Sequence, residues 1–216
     1  MIMKKALIIC IGFLIICCSV HKEKKQMKTP TVKENKISKN EKDIVNDFLE
    51  AELKDNRYKS YRDYQICIIK ERVRKILSLD IYEYCYYDRN LPIRTSSNKE
   101  WILNETQIKA IRDKCDNKEL YIWEISDFTT TKVSILEFNK LLKNVKENTF
   151  INLPKRLIVH LSTPLIIDEN YSFMSIKLGD SFSGFEKINA YTALLKKNKL
   201  GRWDVDSYYY DPNFNW

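Results

Sequence analysis

Across 216 residues the chain sets 37 lysines and arginines against 29 acidic residues, a formal net charge of +8. The excess is local: residues 1–17 contribute +2 and residues 18–42 a further +5, which leaves +1 for 43–216. A nucleic-acid binder concentrates its basic residues on the folded body, so this distribution argues against nucleic acid as a partner. Four glycines and five prolines in the whole chain argue against a repeat array and a glycine-rich phosphate-binding fold.

In chain order, residues 1–17 read as a secretory signal. Lys4 and Lys5 supply a positive start, and residues 6–17 are an unbroken apolar or small run. Twelve residues span about 18 Å as a helix against a hydrocarbon core of about 30 Å, which favours a cleaved signal over a membrane anchor. Leu14, Ile15, Ile16, Cys17 and Cys18 resemble the lipobox of bacterial lipoproteins, with Cys17 as the small residue before the modified cysteine. Cutting one residue earlier would put bulky Ile16 at that place, so Cys18 is the expected lipidation site. Two acyl chains, at about 0.8 kcal/mol per buried methylene, suffice for stable anchoring. Ser19 follows the cysteine, not aspartate, which by resemblance to Gram-negative lipoproteins implies the outer membrane, facing the periplasm or the cell surface.

Residues 18–42 read as the lipidated cysteine and a flexible basic linker. They carry eight lysines, three glutamates and Thr29-Pro30-Thr31 with hardly any large apolar side chain. Such a segment cannot bury enough surface to offset its ordering entropy. The remaining 43–216 suit a single domain, able to bury about 70% of the unfolded chain's surface.

Ser38-Lys39-Asn40-Glu41 has capping-box spacing, and Ile44, Val45, Phe48, Leu49 and Leu53 follow at helical period. Residues 64–77 fit either a helix or a strand; the charged stretch 71–75 continues a helical period and favours helix. Residues 81–87, with four tyrosines and a cysteine, predict a strand. Asn104 caps a helix running to about Lys114, with Ile108 and Ile111 inward. Residues 120–125 alternate like a strand, and 134–145 predict a helix with Leu136, Leu141 and Leu142 buried. From Arg156 onward, 157–161, 171–178, 188–196 and 203–210 read as strands. Asp168-Glu169-Asn170 and Lys199-Leu200-Gly201 supply turns, and 179–184 a loop. The expected class is α+β, N-terminal helices packed on a C-terminal antiparallel β-meander.

Leu161-Ser162-Thr163-Pro164-Leu165-Ile166, then a turn, a strand, a serine- and glycine-containing loop, another strand and Gly201-Arg202-Trp203 resemble the C-terminal end of small lipoproteins and secreted proteins of Bacteroidetes. In those proteins a Ser-x-Pro strand leads into a hairpin closing with Gly-x-Trp. The resemblance covers about the last 60 residues, plus the general layout of signal, linker and first helix. It implies the fold and the location, and it brings no activity or functional residue.

Few residues offer chemistry. His160 is the only histidine after residue 42, set in an apolar run, and a lone strand histidine is ordinarily structural. With it, Cys67, Cys85 and Cys115 have no short paired spacing for zinc, and no cysteine stands in a nucleophile's context. Ser181 and Ser183 lack the Gly-x-Ser-x-Gly elbow. Asp127, Asp168, Glu169, Asp204 and Asp206 could in principle supply paired carboxylates, but they equally describe solvated faces and turns. No catalytic, cofactor-binding or metal residue is therefore assigned. The three body cysteines allow at most one disulfide, with three possible pairings, and the expectation is Cys67–Cys85 or none. Tyrosines at 82, 84, 86, 87 and 208–210, with Phe214 and Trp216, suit either a core or a partner interface.

Two functional readings follow. The first is a membrane-tethered lipoprotein, held in the bilayer by acylated Cys18, whose body is a non-enzymatic binding module for a protein or glycan, an immunity or inhibitor role being one version. The second is an envelope hydrolase acting on glycan or peptide through carboxylates distant in sequence.

Overall fold

The computed structural model describes residues 37–61, 63–88, 101–115, 121–129, 132–147, 155–181 and 186–211. Cys18, the signal and most of the linker lie outside these residues, as do Leu120, Ser183, Phe214 and Trp216.

The first helix, α1 (Lys39–Lys54), starts where the capping box places it, four residues inside the segment read as linker. Ser38 Oγ accepts from the Glu41 N–H at 3.3 Å while the Ser38 N–H donates to Glu41 Oε2 at 2.7 Å. Ile44, Val45, Phe48 and Leu49 form its buried stripe, and Glu52 lies on the same face.

The segment expected to be a helix over 64–77 is instead strand β1 (Gln65–Ile69). Its four residues Ile66, Cys67, Ile68 and Ile69 are all buried, because β1 lies between two parallel partners and has a packed layer on each face. A parallel strand covered on both faces reads as a continuous apolar run, and here that pattern overrides the helical period. The charged residues 71–75 are the connection that follows it.

The converse error falls on 81–87. These tyrosine-rich residues belong to helix α2 (Ile76–Tyr87), in which Ile76, Leu79, Tyr82 and Cys85 are buried at three-residue spacing. Tertiary burial outweighs their strand propensity. Tyr82 anchors the helix: its hydroxyl accepts from the Leu103 N–H at 2.9 Å and donates to the Leu103 carbonyl at 3.2 Å. Helix α3 (Glu105–Lys114) is capped by Asn104 as expected, with Ile108 buried and Ile111 half-buried. Arg112 fastens it to α2, reaching Asp80 Oδ1 at 2.6 Å and also Glu83.

The expected strand over 120–125 reduces to one bridge, Ile122 with Glu71, before a short 3-10 turn at Ile125–Asp127. The helix expected over 134–145 divides. Val133–Leu136 is strand β2, and α4 (Phe138–Lys146) follows with Leu141 buried and Leu142 46% exposed.

Four of the later strands agree with the sequence, and the short β4 is an addition to them. They are β3 (Arg156–Leu161), β4 (Leu165–Ile166), β5 (Tyr171–Asp180), β6 (Glu186–Lys197) and β7 (Trp203–Tyr210). Gly179 and Asp180, expected in a loop, extend β5. The strand order is β2-β1-β3-β5-β6-β7, with β4 pairing the start of β5.

The α+β class therefore holds, while two parts of the expected architecture are corrected. The sheet is mixed, since β1 is parallel to both β2 and β3 and only β3–β7 pair antiparallel. The helices are interleaved with strands rather than gathered at the N-terminus, because β2–α4–β3 is a crossover between the two strands that flank β1.

Packing follows the pleat. One face of the sheet (Ile66, Ile68, Val159, Ile176, Tyr191 and Trp203) meets α1, Trp123 and Phe128. On the other face, Phe173, Leu194 and Tyr209 meet α2 and α3. Farther along that face, Cys67, Ile69 and Ile158 meet Leu141 of α4 and the half-buried Phe138. Among the described residues no helix is long and apolar enough to cross a membrane.

Candidate functional site

Helix α4 stands over the β2-β1-β3 end of the sheet and leaves beside it an open groove of about 930 Å³. Sheet pairing builds one side of it. Cys67 is opposite Ser134 on β2 and Ile158 on β3, and Gln65 is opposite Arg156. Side chains alternate between faces along a strand, so Gln65, Cys67, Ser134 and Arg156 share the groove's side of the sheet. Helix α4 supplies Asn139, Lys140, Lys143 and Asn144.

Each contributor is held locally. The first N–H of α4, on Phe138, donates to Glu71 Oε2 at 2.7 Å, so a distant carboxylate caps the helix and complements its dipole. Ser134 Oγ donates to the Ile66 carbonyl at 3.2 Å and lies 3.3 Å from Cys67 Sγ. The Arg156 backbone is clamped by Ser181. Its N–H donates to Ser181 Oγ at 3.0 Å, and its carbonyl accepts from the Ser181 N–H at 3.1 Å.

The charges of the groove are only partly matched. Lys143 lies 3.9 Å from Glu147, and Glu137 is engaged by Lys70 at 3.7 Å. Lys140 and Arg156 have no carboxylate partner among the described residues, and Arg156 Nε is buried without a hydrogen-bond acceptor.

Of the residues singled out in the sequence, Cys67 lines the groove, while His160 and the acidic residues lie outside its lining. His160 sits on β3 beneath the start of α4, its ring 5.7 Å from that of Phe138. Burial first, against a hydrogen bond to the Glu71 backbone and assisted by Lys177, pushes its pKa down to about 4, so it is neutral at pH 7. Asp127 is buried, 2.9 Å from Lys42 and 3.5 Å from Arg72, whose guanidinium lies 4.1 Å from the Trp123 ring centroid. Asp168 Oδ1 accepts from the Asn170 and Tyr171 N–H groups and shapes the β4–β5 turn. Glu169 is exposed in that turn. Asp204 accepts from Asn198 and Asp206 from Ser207. Among the described residues no group of three or more His, Cys, Asp or Glu side chains converges on a metal position.

All three body cysteines are free thiols. Cys67 lies under α4 and Cys85 in the α2 cluster, so of the two readings kept open for them the unbridged one holds.

No protein-family model matches the chain, and no curated protein or solved structure matches it either. The site therefore rests on its own geometry.

The motif behind the Bacteroidetes resemblance has a structural explanation. Gly201 takes φ +79°, Arg202 binds Asp47 and Glu50 of α1, and Trp203 is buried in the core. Ser162 accepts from the Ser175 N–H at 2.8 Å and belongs to a buried hydroxyl chain with Ser78.

Sequence reasoning missed Lys140 and Arg156, which are two among 37 basic residues. Only the parallel pairing of β1 with β3 brings Arg156 beside Cys67. An arginine heading an apolar strand was the one available signal.

Proposed function

We propose that the chain is a lipoprotein anchored through acylated Cys18 to the outer membrane, and that its body is a non-enzymatic binding module whose ligand occupies the α4 groove. The observation that carries this reading is the make-up of the groove. It offers side-chain amides and two cations that have no carboxylate partner among the described residues, and the carboxylates that line it, Glu137 and Glu147, are engaged by lysines. A hydrolytic site needs a positioned nucleophile, base or acid. The neutral His160 and the structural aspartates do not supply one in the groove. The basic linker suits a spacer beside an anionic bilayer surface.

Two measurements test the proposal. Intact mass and fractionation of wild type against Cys18→Ala should show an acylated chain beginning at Cys18, and loss of both the acyl mass and membrane association in the variant. A photo-crosslinking residue at Asn139, compared with one at Asp43 on α1, should give adducts in cells from the groove position alone. An unmodified soluble wild type would sink the tether. Equal adducts from both positions, or none, would sink the groove.

A further inference from the structure

We infer that the α4 groove recognises an extended acidic peptide segment, its carboxylates held by Arg156 and Lys140; this rests on the groove being the ligand site.

Three features converge on that chemistry. The first is charge. Among the described residues Lys140 and Arg156 are the groove's cations without a carboxylate, whereas Lys143 has Glu147. A cation pair of this kind is complementary to an acidic ligand and orients its approach.

The second is an orphaned donor. Among the described residues Arg156 Nε is buried and has no acceptor, and buried donors are paired in the great majority of native structures because leaving one unpaired costs free energy. A carboxylate presents two oxygens that match the planar fork of a guanidinium. The fork is pre-positioned, since Ser181, itself 2% exposed, fixes the Arg156 backbone through both its hydroxyl and its N–H. Ser181 is thereby a positioning residue for Arg156.

The third is the set of amides. Gln65, Asn139 and Asn144 line the same groove, and each carries a donor and an acceptor on one planar group, the pattern that pairs with a peptide bond. A bare inorganic anion would use only their donors.

The test is calorimetric titration of the full chain in non-ionic detergent. The probes are a ten-residue peptide alternating glutamate with serine and glycine, its glutamine counterpart, and inorganic phosphate. The glutamate peptide should bind at least tenfold more tightly than the glutamine peptide, and its affinity should fall as salt rises. Arg156→Gln and Lys140→Gln should each weaken it at least fivefold. Arg156→Lys, which keeps the charge and loses the fork, should weaken it measurably. Lys109→Gln on exposed α3, the same charge change elsewhere, should not. Melting curves establish that the variants fold.

Equal binding of the two peptides would overturn the acidic inference while leaving the groove a binding site. Phosphate binding as tightly as the peptide would mean an adventitious ion only. No binding of any probe at millimolar concentration would also overturn it.

Discussion

The Tyr208 hydroxyl donates to Glu52 Oε1 at 2.8 Å, joining the last strand of the sheet to the last turns of α1. The other carboxylate oxygen accepts from the Tyr191 hydroxyl, which in turn accepts from Tyr58 at 3.3 Å. Glu52 is 2% exposed, and Tyr191, buried beside this carboxylate, has its pKa raised well above the usual tyrosine value, burial being the larger cause. Removing the shared acceptor takes a partner from the buried Tyr191 hydroxyl and from the half-buried Tyr208 hydroxyl, so Glu52→Ala should cost about 2–4 kcal/mol. Tyr208→Phe removes one donor and should cost about 1 kcal/mol. Urea unfolding of the two variants measures both; equal midpoints would show that Glu52 does not organise the interface.

His160 sets a pH dependence of stability. In the unfolded chain its imidazole protonates near 6.5, but in the fold only near 4. The unfolded state therefore binds the extra proton between those values. Stability from this group is complete above pH 6.5, declines as the pH falls toward 4, and changes no further below it. The loss is at most about 3 kcal/mol at 1.36 kcal/mol per pH unit. His160→Gln should flatten the unfolding free energy over that window; an unchanged slope would contradict the burial described.

Thiol labelling should resolve the cysteines of the body into classes. Cys115, half-exposed at the end of α3, should react first. Cys85, buried and with its pKa raised to about 11, should react only on unfolding, because the thiolate is the nucleophile. Mass mapping without reductant should find all three unbridged. A Cys67–Cys85 bridge would require the two packing clusters to rearrange.

The β6–β7 turn separates backbone strain from surface charge. At Gly201 a Cβ would meet nothing within 4 Å, so the cost of Gly201→Ala comes from φ +79° and should be about 1–2 kcal/mol. Arg202 is exposed, and its ion pairs with Asp47 and Glu50 are screened by solvent and contribute little. Thermal midpoints should therefore rank Gly201→Ala below Arg202→Ala, and the opposite order would mean that the ion pairs hold the hairpin.

What could be read from the sequence was local. The α1 and α3 caps, the three hairpin-linked strands and the Asp168 and Gly201 turns are each decided by residues close in the chain. Errors came where distant chain decides. Ile66-Cys67-Ile68-Ile69 becomes a strand because residues 133–136 and 156–161 flank it, and the tyrosines of α2 become helical because Phe173 and Tyr209 lie beneath them. The groove was illegible for the same reason, since Lys140, Arg156 and Gln65 belong to three separate elements. The lysines of the linker dominate the charge, while the two cations that count for the site, Lys140 and Arg156, are hidden among the ordinary charges of the body.

The parallel placement of β1 has a consequence for the order of assembly. Residue 66 pairs with 133 and 157, whereas β6 and β7 meet across a turn of a few residues. Non-local pairing is slow because loop closure must precede its reward. In synthesis from the N-terminus, β1 is complete long before either neighbour exists, and its four apolar residues then have no sheet to enter. The groove is a late product of folding, and a chain stopped before residue 156 would contain α4 yet lack β3 and, with it, Arg156.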